Sequence, residues 1–311
     1  MNAQTTAMPL VSVLMPVFNH ARFLEQGLQS VLDDGWPNIE LVAIDDGSSD
    51  NSFEVMQAWL RDHGHRFARA VVSRQENAGI VRTLNRLVQA ATGEYVILLA
   101  SDDQLLPGGI ESRLRHLQAH PDSLAVFGDS IGIGDDGDLK CNSVIRDRFG
   151  GNTESLGDPQ RLALELILNW SVPGPVLMAR RDTYSVIGQY DESYFIEDRD
   201  YYLRLLARHA LVFLDKPVAA YRMHAASISG DRTKQIRIGQ EIVRIEKKLL
   251  PLFSGIESLA LRVQMWANSS AFHTAPALKK PFVAARCLAA RTFGKLMLQL
   301  VRAGSLRHRG I

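Results

Sequence analysis

The sequence contains little cysteine. Its 311 residues include only Cys141 and Cys287, and neither belongs to a Cys-x-x-Cys pair. This scarcity argues against a disulfide framework or a thiolate metal centre, and it favours a reducing compartment. No apolar run approaches the roughly 18 residues that span a bilayer. Residues 1–9 lack the basic and apolar segments of a secretory signal. We therefore expect a cytoplasmic protein.

The chain also lacks a charge excess, since its net charge is +1. This argues against bulk binding of nucleic acid by the whole chain. Acidic residues are nevertheless absent from residues 258–311, which hold nine Lys and Arg residues. This region either docks on the anionic inner face of a membrane or forms a helical subdomain with a basic solvent face.

Short apolar runs alternate with helical patterns over the first 130 residues. This alternation predicts an α/β fold with right-handed crossovers and a mostly parallel central sheet. The predicted strands are Val11–Pro16, Ile39–Ile44, Ala70–Val72, Tyr95–Ala100 and Leu124–Phe127. The predicted helices are Ala21–Leu32, Ser52–Arg61, Ile80–Ala91 and Gly109–Ala119. Ligands of such sheets bind where the strands end.

The pattern is less regular after Gly128. Residues 129–157 are rich in Gly, Asp, Asn and Ser, which predicts loops or edge strands. The elements predicted beyond them are a helix at Asp158–Asn169, a strand at Val176–Ala179, a helix at Glu197–Arg208, strands at Leu211–Leu214 and Val218–Tyr221, and helices from Gln235 onward.

Acidic pairs follow two of the predicted strands. Asp102 and Asp103 follow the fourth strand, and Asp45 and Asp46 follow the second. Two carboxylates about 4 Å apart repel by about 4 kcal/mol at an effective dielectric near 20. At Asp102 and Asp103 a divalent cation such as magnesium or manganese removes that cost. At Asp45 and Asp46 a carboxylate can instead accept hydrogen bonds from a nucleobase or from ribose hydroxyls. Either pair is also compatible with a simple turn that caps the next helix.

Other candidate site residues also lie at the ends of predicted elements. Phe18 and Asn19 follow the first strand, where an aromatic ring can stack on a base; a core Phe and a turn Asn are the alternative. Asn77 precedes the third helix and is typical of a helix cap. His224 follows the last strand and is either a ligand of a metal or diphosphate or a surface residue.

Glu197 and Asp198 begin a predicted helix. Acidic residues in a first turn favour the helix dipole, so a structural role is open. The preceding residues, Tyr194, Phe195 and Ile196, form an apolar stretch. An apolar wall can raise the pKa of a carboxyl group and make it useful as a general base.

Together these residues resemble the family 2 glycosyltransferases of the GT-A fold. The resemblance covers about residues 10–230. The matching segments, in order, are Val11–Asn19, Asp45–Asp50, Asn77–Gly79, Gly93–Val96, Ser101–Asp103, Gly188–Glu192, Glu197–Asp200 and Tyr221–His224. Each is weak alone, but eight in the right order and spacing are a strong signal. The resemblance implies an enzyme that transfers a sugar, with inversion, from a nucleotide-sugar donor to a saccharide or lipid-linked acceptor. We expect the donor to be UDP-linked.

The resemblance also implies roles for individual residues. The residues implied in donor binding, with Phe18 as the aromatic that stacks on the base, are Pro16, Phe18, Asn19, Asp46, Asn77, Arg82 and Asp102. Asp103 would hold a Mn2+ or Mg2+ ion that bridges the donor diphosphate, with His224 beside it. Asp198 would be the general base, with Glu197 as its neighbour.

The chain departs from the family pattern at two positions. Ala100 stands where many members have the first acid of Asp-x-Asp-Asp, and Leu84 stands where many have an Arg before Asn85. The first departure bears on metal affinity and the second on contacts with the diphosphate. The Gln-x-x-Arg-Trp motif of processive synthases is missing, which favours transfer of a single sugar.

The resemblance divides the chain into a catalytic domain and a C-terminal region. We expect the domain at 1–232, with a nucleotide-binding half at about 10–130 and an acceptor half at about 131–232, followed by a basic helical region at 233–311.

A sugar-nucleotide pyrophosphorylase and an inactive sugar-nucleotide-binding scaffold are the alternative functions. The glycine-rich phosphate loop of a pyrophosphorylase is missing after the first strand of this chain, and the intact Asp103 and Asp198 argue against an inactive scaffold. A dinucleotide dehydrogenase is disfavoured because no Gly-x-Gly-x-x-Gly follows a strand.

Overall fold

A computed structural model describes residues 8–224, 232–268, 289, 292–294 and 296–302. Cys287 and most of the basic stretch 258–311 fall outside these residues, as does the membrane docking predicted for that stretch. Among the helices that the structure does describe, none combines the length and the apolar character needed to cross a bilayer.

One mixed sheet organises the described part of the chain. Its strands are β1 (Val11–Val17), β2 (Ile39–Asp45), β3 (Arg69–Arg74), β4 (Tyr95–Leu98), β5 (Gln104–Leu105), β6 (Ala125–Ile133), β7 (Leu139–Cys141), β8 (Leu177–Arg180) and β9 (Leu211–Arg222). Their order is β3-β2-β1-β4-β8-β6-β9-β5, and β7 pairs with β6. The β3-β2-β1-β4 half is parallel throughout, which confirms the predicted α/β class.

α-Helices connect the strands of the sheet, and further helices follow β9, the last strand described. They are α1 (Ala21–Asp33), α2 (Ser52–His63), α3 (Ile80–Ala90), α4 (Gly109–Ala119), α5 (Thr153–Leu156), α6 (Leu162–Leu168), α7 (Thr183–Val186), α8 (Asp198–Leu206), α9 (Arg232–Leu249) and α10 (Gly255–Asn268). The four helices predicted before residue 130 are confirmed to within three residues at each end.

Two hydrophobic clusters form because successive side chains of a buried strand point to opposite faces. Leu14 of β1 packs in one cluster with Leu87 of α3. Val13 packs in the other cluster with Leu24 of α1. Full burial of one such Leu side chain stabilises the fold by about 1.5–3 kcal/mol. The near-continuous apolar sequence of β1 follows from this burial on both faces.

The second half of the sheet differs from the sequence-based expectation. Strand β6 continues past Gly128 to Ile133, although Asp129 and Ser130 suggested a loop. Asp129 is buried, and its carboxylate accepts hydrogen bonds from the Ser143 hydroxyl and from the Ile145 amide (3.1 Å for the latter). A polar residue therefore remains in a central strand because a distant segment satisfies it.

Strand β9 is a single long strand where two short ones were expected. It runs through Pro217, which has no N–H to donate. The pairing of β6 with β9 shifts register on both sides of Asp129, the partner of Pro217. These irregularities accommodate the proline, and the strand then continues to Arg222.

A buried ion pair joins α8 to α9. Arg199 donates a hydrogen bond of 2.7 Å to Glu246, and both side chains are almost fully buried. The same guanidinium also donates to the carbonyl oxygens of Leu166 and Ile167, at the end of α6. Three helices therefore share one charged group, next to the acidic start of α8.

We predict that Glu246→Leu lowers the free energy of unfolding by about 3–5 kcal/mol, because it leaves the buried Arg199 charge without its partner. Urea denaturation followed by circular dichroism measures the change. Glu111→Gln, which breaks the exposed pair with Arg115, is the matched control and should cost no more than about 1 kcal/mol. Equal losses for the two variants would contradict a special role for the buried pair.

Candidate active site

The ends of β1 and β4 form the centre of the candidate site. The two strands are parallel neighbours, yet β2 and β3 lie between them in the chain. This is the point where the strand order reverses, and crevices at such points bind ligands. The loop after β1 carries Phe18, Asn19 and His20, and the loop after β4 carries Asp102 and Asp103.

The two acids after β4 lie on a tight turn and differ in environment. The Asp103 amide donates to the Ala100 carbonyl oxygen (3.0 Å), which closes the turn. The Asp103 side chain is buried and accepts a hydrogen bond of 2.8 Å from the Arg222 amide. Burial, followed by the charge of Asp102, raises the pKa of Asp103 well above its ordinary value. Asp103 is therefore a buried carboxyl group that holds a backbone amide of the protein.

Asp102 instead faces two imidazoles. Its Oδ2 lies 2.9 Å from Nε2 of His224, and its Oδ1 lies 3.7 Å from Nδ1 of His20. One ligand atom from each of the three residues lies within 4.8 Å of the other two. Two imidazole nitrogens and a carboxylate oxygen are suitable ligands for a divalent transition metal, so the residues present fit a metal ion. Asp103 was expected to pair with His224 here, but the structure brings Asp102 to it.

The loop after β1 is held against the loop after β2. The Asn19 side-chain oxygen accepts hydrogen bonds from the Ser49 amide (2.8 Å) and the Asp50 amide (3.4 Å). Asn19 adopts a positive φ of 55°, a conformation that Asn tolerates better than most residues. Beside it, the Phe18 ring is 45% exposed. An exposed aromatic ring on a fixed turn offers a flat surface to a planar ligand.

Asp46 shapes the entrance to α3. Its carboxylate accepts hydrogen bonds from the Ala78 amide (2.7 Å) and the Gly79 amide (3.0 Å). The neighbouring Gly47 has a φ of +74°, and a Cβ there would lie 2.8 Å from the Asn77 amide nitrogen. Only glycine suits that position. Helix α3 is preceded by Gly79 rather than capped by Asn77, and the Asn77 side chain is exposed.

The remaining donor-binding candidates lie on β1 and α3. Pro16 pairs in register with Ile44 inside the sheet. Arg82 is exposed on α3 and forms an ion pair of 3.2 Å with Glu192. Asn85 also contacts this carboxylate, at 3.1 Å. The described structure thus connects α3 to the segment at Glu192. The contact of Arg82 with the diphosphate stays a prediction.

Glu197 and Asp198 line a small cavity of about 60 Å3, together with Gly174 and two tyrosines, Tyr201 and Tyr202. Burial, followed by the charge of Asp198, raises the pKa of Glu197 to about 8. Burial also raises the pKa of Asp198, and the Arg199 amide, 2.6 Å from its Oδ1, opposes that rise. Adjacent carboxyl groups in a confined space thus favour sharing a proton.

The structure brings the acidic groups of the two halves near one side chain. Burial and then the charges of Asp103 and Asp102 raise the pKa of Tyr221, and the charge of Asp198 contributes to the same rise. Gly174 supplies a second link, because a Cβ there would lie 3.7 Å from Oδ2 of Asp103, while Gly174 lines the same cavity as Asp198. Carboxylates about 100 positions apart in the chain therefore share one region.

Arg222 was not singled out from the sequence. Its guanidinium donates to the backbone carbonyl oxygens of Asp102 (2.8 Å), Gly134 (2.8 Å) and Asp135 (3.0 Å) and to the side chain of Gln26 (2.8 Å). These contacts fix the turn that presents Asp102. The signal was its position in the Tyr-Arg-Met-His segment, directly before Met223 and His224.

His20 was also not singled out. It directly precedes α1, so the strand-end rule that selected Phe18 and Asn19 applies to it as well. Its Nδ1 lies 2.8 Å from the Ser101 hydroxyl oxygen. A histidine that follows a strand end by three residues was the available signal.

Comparisons with known proteins agree with the fold. Residues 12–158 match the family model described as Glycosyl transferase family 2. A PGL/p-HBAD biosynthesis glycosyltransferase of Mycobacterium bovis is 26% identical over 219 residues, 69% of this chain and 77% of that protein. An uncharacterized glycosyltransferase of Haemophilus influenzae is 35% identical over 114 residues, 36% of this chain and 44% of that protein.

Two solved structures share the fold. The mannosyltransferase PcManGT from Pyrobaculum calidifontis, in complex with GDP-Man and Mn2+, has a TM-score of 0.62 at 18% identity and covers 96% of this chain and 87% of its own. Residues 1–349 of S. aureus TarS, in complex with UDP-GlcNAc, have a TM-score of 0.63 at 14% identity and cover 90% of this chain and 79% of their own. At these identities the likeness concerns the fold alone.

The raised pKa of Glu197 predicts a pH-dependent stability. The pKa is about 8 in the folded protein and has an ordinary value of 4.5, so the folded state holds a proton that the unfolded state has released between these pH values. The contribution of Glu197 to the free energy of unfolding is fully present below pH 4.5 and is lost as the pH rises through about 8. Glu197→Gln should therefore exceed the wild type in unfolding free energy at high pH by more than about 1 kcal/mol.

Urea denaturation at pH 5, 7 and 9 would measure this difference. The exposed Glu76→Gln serves as the matched control and should follow the wild type at every pH. A Glu197→Gln variant that is equally destabilised at all three pH values would contradict the prediction.

Proposed function

Because the chain is a glycosyltransferase of family 2 with the GT-A fold, we propose that it transfers a sugar, with inversion, from a UDP-linked donor to a saccharide or lipid-linked acceptor. The observation that carries this proposal is the position of Gly174, where a Cβ would lie 3.7 Å from Oδ2 of Asp103 and which lines the same cavity as Asp198. That arrangement supplies a cation-binding carboxylate and a base within one region.

The donor end of the proposed site is the surface around Phe18. The exposed ring offers stacking to the base, and the hydrogen bonds of Asn19 to Ser49 and Asp50 keep the loop that carries it in place. Asp46 begins the loop that Asn19 contacts, and its carboxylate holds the amides of Ala78 and Gly79. We propose uracil as the base, and the complex of TarS with UDP-GlcNAc supports a UDP-linked donor for a protein of this fold.

We propose that Asp102 and His224 hold a divalent cation, with Asp102 taking the position first expected for Asp103. This revision is supported by the 2.9 Å separation of the two side chains and by the internal contacts of Asp103. Such a cation would neutralise the negative charge that develops on the departing diphosphate. Mn2+ is the ion bound in the PcManGT complex, which supports manganese as the first choice.

Asp198 is the proposed general base. Its carboxylate receives the Arg199 amide, which favours its ionised form, whereas Glu197 has the pKa of about 8. Burial raises the pKa of both groups, and the Arg199 amide acts against that rise at Asp198, so the pair favours the proton on Glu197 and the charge on Asp198. Asp198 removes the proton of the acceptor hydroxyl, whose oxygen attacks the anomeric carbon while the bond to the diphosphate oxygen breaks.

The proposed acceptor is a saccharide or a lipid-linked molecule. The support for a lipid-linked acceptor is the basic stretch 258–311, which carries no acidic residue and would favour an anionic surface. A soluble saccharide acceptor needs no such surface. Membrane docking through this stretch stays a prediction.

We predict that Asp198→Asn lowers the turnover number by about 100- to 10,000-fold, because it removes the base without removing the donor pocket. Mn2+-dependent donor hydrolysis, measured by release of UDP from UDP sugars and of GDP from GDP sugars, provides the assay. Binding of UDP with Mn2+, measured by thermal shift, should match the wild type. The exposed Asp62→Asn is the control, and unchanged turnover in Asp198→Asn would sink the proposed mechanism.

Phe18→Ala tests the donor pocket separately. Loss of stacking on the base should weaken UDP binding by about 1–3 kcal/mol. Phe18→Tyr keeps the ring and should bind UDP nearly as the wild type does. Isothermal titration calorimetry measures both affinities, and thermal unfolding checks that neither change alters the fold. Equal UDP affinity for Phe18→Ala and wild type would argue that the base binds elsewhere.

A further inference from the structure

His20 occupies a fixed position at the point where the order of the strands reverses. Its amide donates to the Ser52 hydroxyl oxygen (3.0 Å). Its carbonyl oxygen accepts hydrogen bonds from the amides of Phe23 (2.9 Å) and Leu24 (3.0 Å), in the first turn of α1. Both sides of its backbone are therefore held, and the direction in which the side chain leaves the chain is set by the fold.

The His20 side chain is directed at the acid after β4. Its Nδ1 lies 3.7 Å from Oδ1 of Asp102, while Nε2 of His224 lies 2.9 Å from the other oxygen, Oδ2. The two imidazoles thus approach the same carboxylate through different oxygens. Ligands that bind one ion at about 2.0–2.2 Å lie about 3–4 Å from one another. Ligand atoms that all lie within 4.8 Å need only a small adjustment to reach this spacing.

Phe23 supports both imidazoles from one side. Its ring centroid lies 5.2 Å from that of His224 and 6.4 Å from that of His20. The two imidazole rings are 6.0 Å apart and nearly perpendicular, at 85°. The His224 side chain is 5% exposed and that of His20 is 26% exposed, so His20 lies on the open side of the group.

We propose that His20 is a third protein ligand of the cation at the site formed with Asp102 and His224. This inference rests on the proposed function, because it concerns the same cation. Ala100 and Ser101, on the turn that carries Asp102, supply no further carboxylate. The ligand set is therefore two nitrogens and one oxygen, which favours Mn2+, Co2+ or Zn2+ over Mg2+, a cation that prefers oxygen ligands.

A purely structural role for His20 predicts a different result for metal binding. In that case its hydrogen bond to Ser101 would be its whole contribution, joining the loops after β1 and β4. Removal of either partner of that bond would then have the same effect on the site. Removal of Ser101 leaves the His20 nitrogen in place, so metal binding distinguishes the two roles.

The test is a titration of the full chain with MnCl2, in which electron paramagnetic resonance measures the free ion. His20→Gln should weaken Mn2+ binding by at least about tenfold, since loss of a residue that only supports a ligand already costs that much. Electron spin echo spectra of bound Mn2+ should lose the 14N coupling of one imidazole. The exposed His65→Gln is the matched control and should bind Mn2+ as the wild type does.

Two further variants separate a ligand from a structural link. Ser101→Ala should weaken Mn2+ binding less than His20→Gln does and should retain both 14N couplings. His20→Glu replaces the nitrogen by a carboxylate of similar reach and should narrow the preference for Mn2+ over Mg2+ by about tenfold. It also guards against loss of folding in His20→Gln, because it restores a ligand.

Equal Mn2+ affinity for wild type and His20→Gln, equal losses for His20→Gln and Ser101→Ala, or no binding of Mn2+ by the wild type would each overturn the inference. The first two results leave sugar transfer standing if donor turnover still depends on Asp198. Conversely, Mn2+ binding through His20 without turnover of any nucleotide sugar would sink the proposed function and leave this inference intact.

Discussion

The buried guanidinium of Arg222 is the interaction on which the candidate site depends. It holds the turn at Asp102, the loop at Gly134 and Asp135, and the Gln26 side chain of α1. The Cζ atom of this guanidinium also lies 4.7 Å from the centre of the Phe23 ring. A charge buried to this degree is tolerated only when its donors are satisfied, so the surrounding carbonyl groups have little freedom to move.

Two other arginines, both on α8, join distant segments in the same way. Arg199 joins three helices through two carbonyl groups and Glu246. Arg204 of α8 donates to the carbonyl oxygens of Ile187 (2.8 Å) and Gln189 (2.9 Å) and to Asp200 (2.9 Å). Each guanidinium reaches more than one segment of the chain with its fixed fork of donors, a task for which lysine has the wrong geometry. The proposed base is thus carried by a helix that arginines anchor at both ends.

The sequence predicted the elements that local pattern determines. The buried parallel strands, their helices and the strand ends that carry Phe18, Asp46 and Asp102 all follow from apolar periodicity and turn residues. Strand β6 beyond Gly128 did not follow, because the partners that satisfy Asp129 lie 14 and 16 residues away. The role of Arg222 did not follow either, since its contacts lie up to 196 positions away, at Gln26.

The pair Asp102 and Asp103 shows why a motif cannot assign its own ligands. Successive residues of a turn point in different directions, so one carboxylate is internal and the other faces His20 and His224. Burial favours the neutral form of Asp103, which limits the repulsion that adjacent acids would otherwise exert. Asp102 can then present its charge alone. A doubled acid therefore need not provide two ligands: the side chain of Asp103 holds the amide of Arg222, while that of Asp102 faces the two histidines.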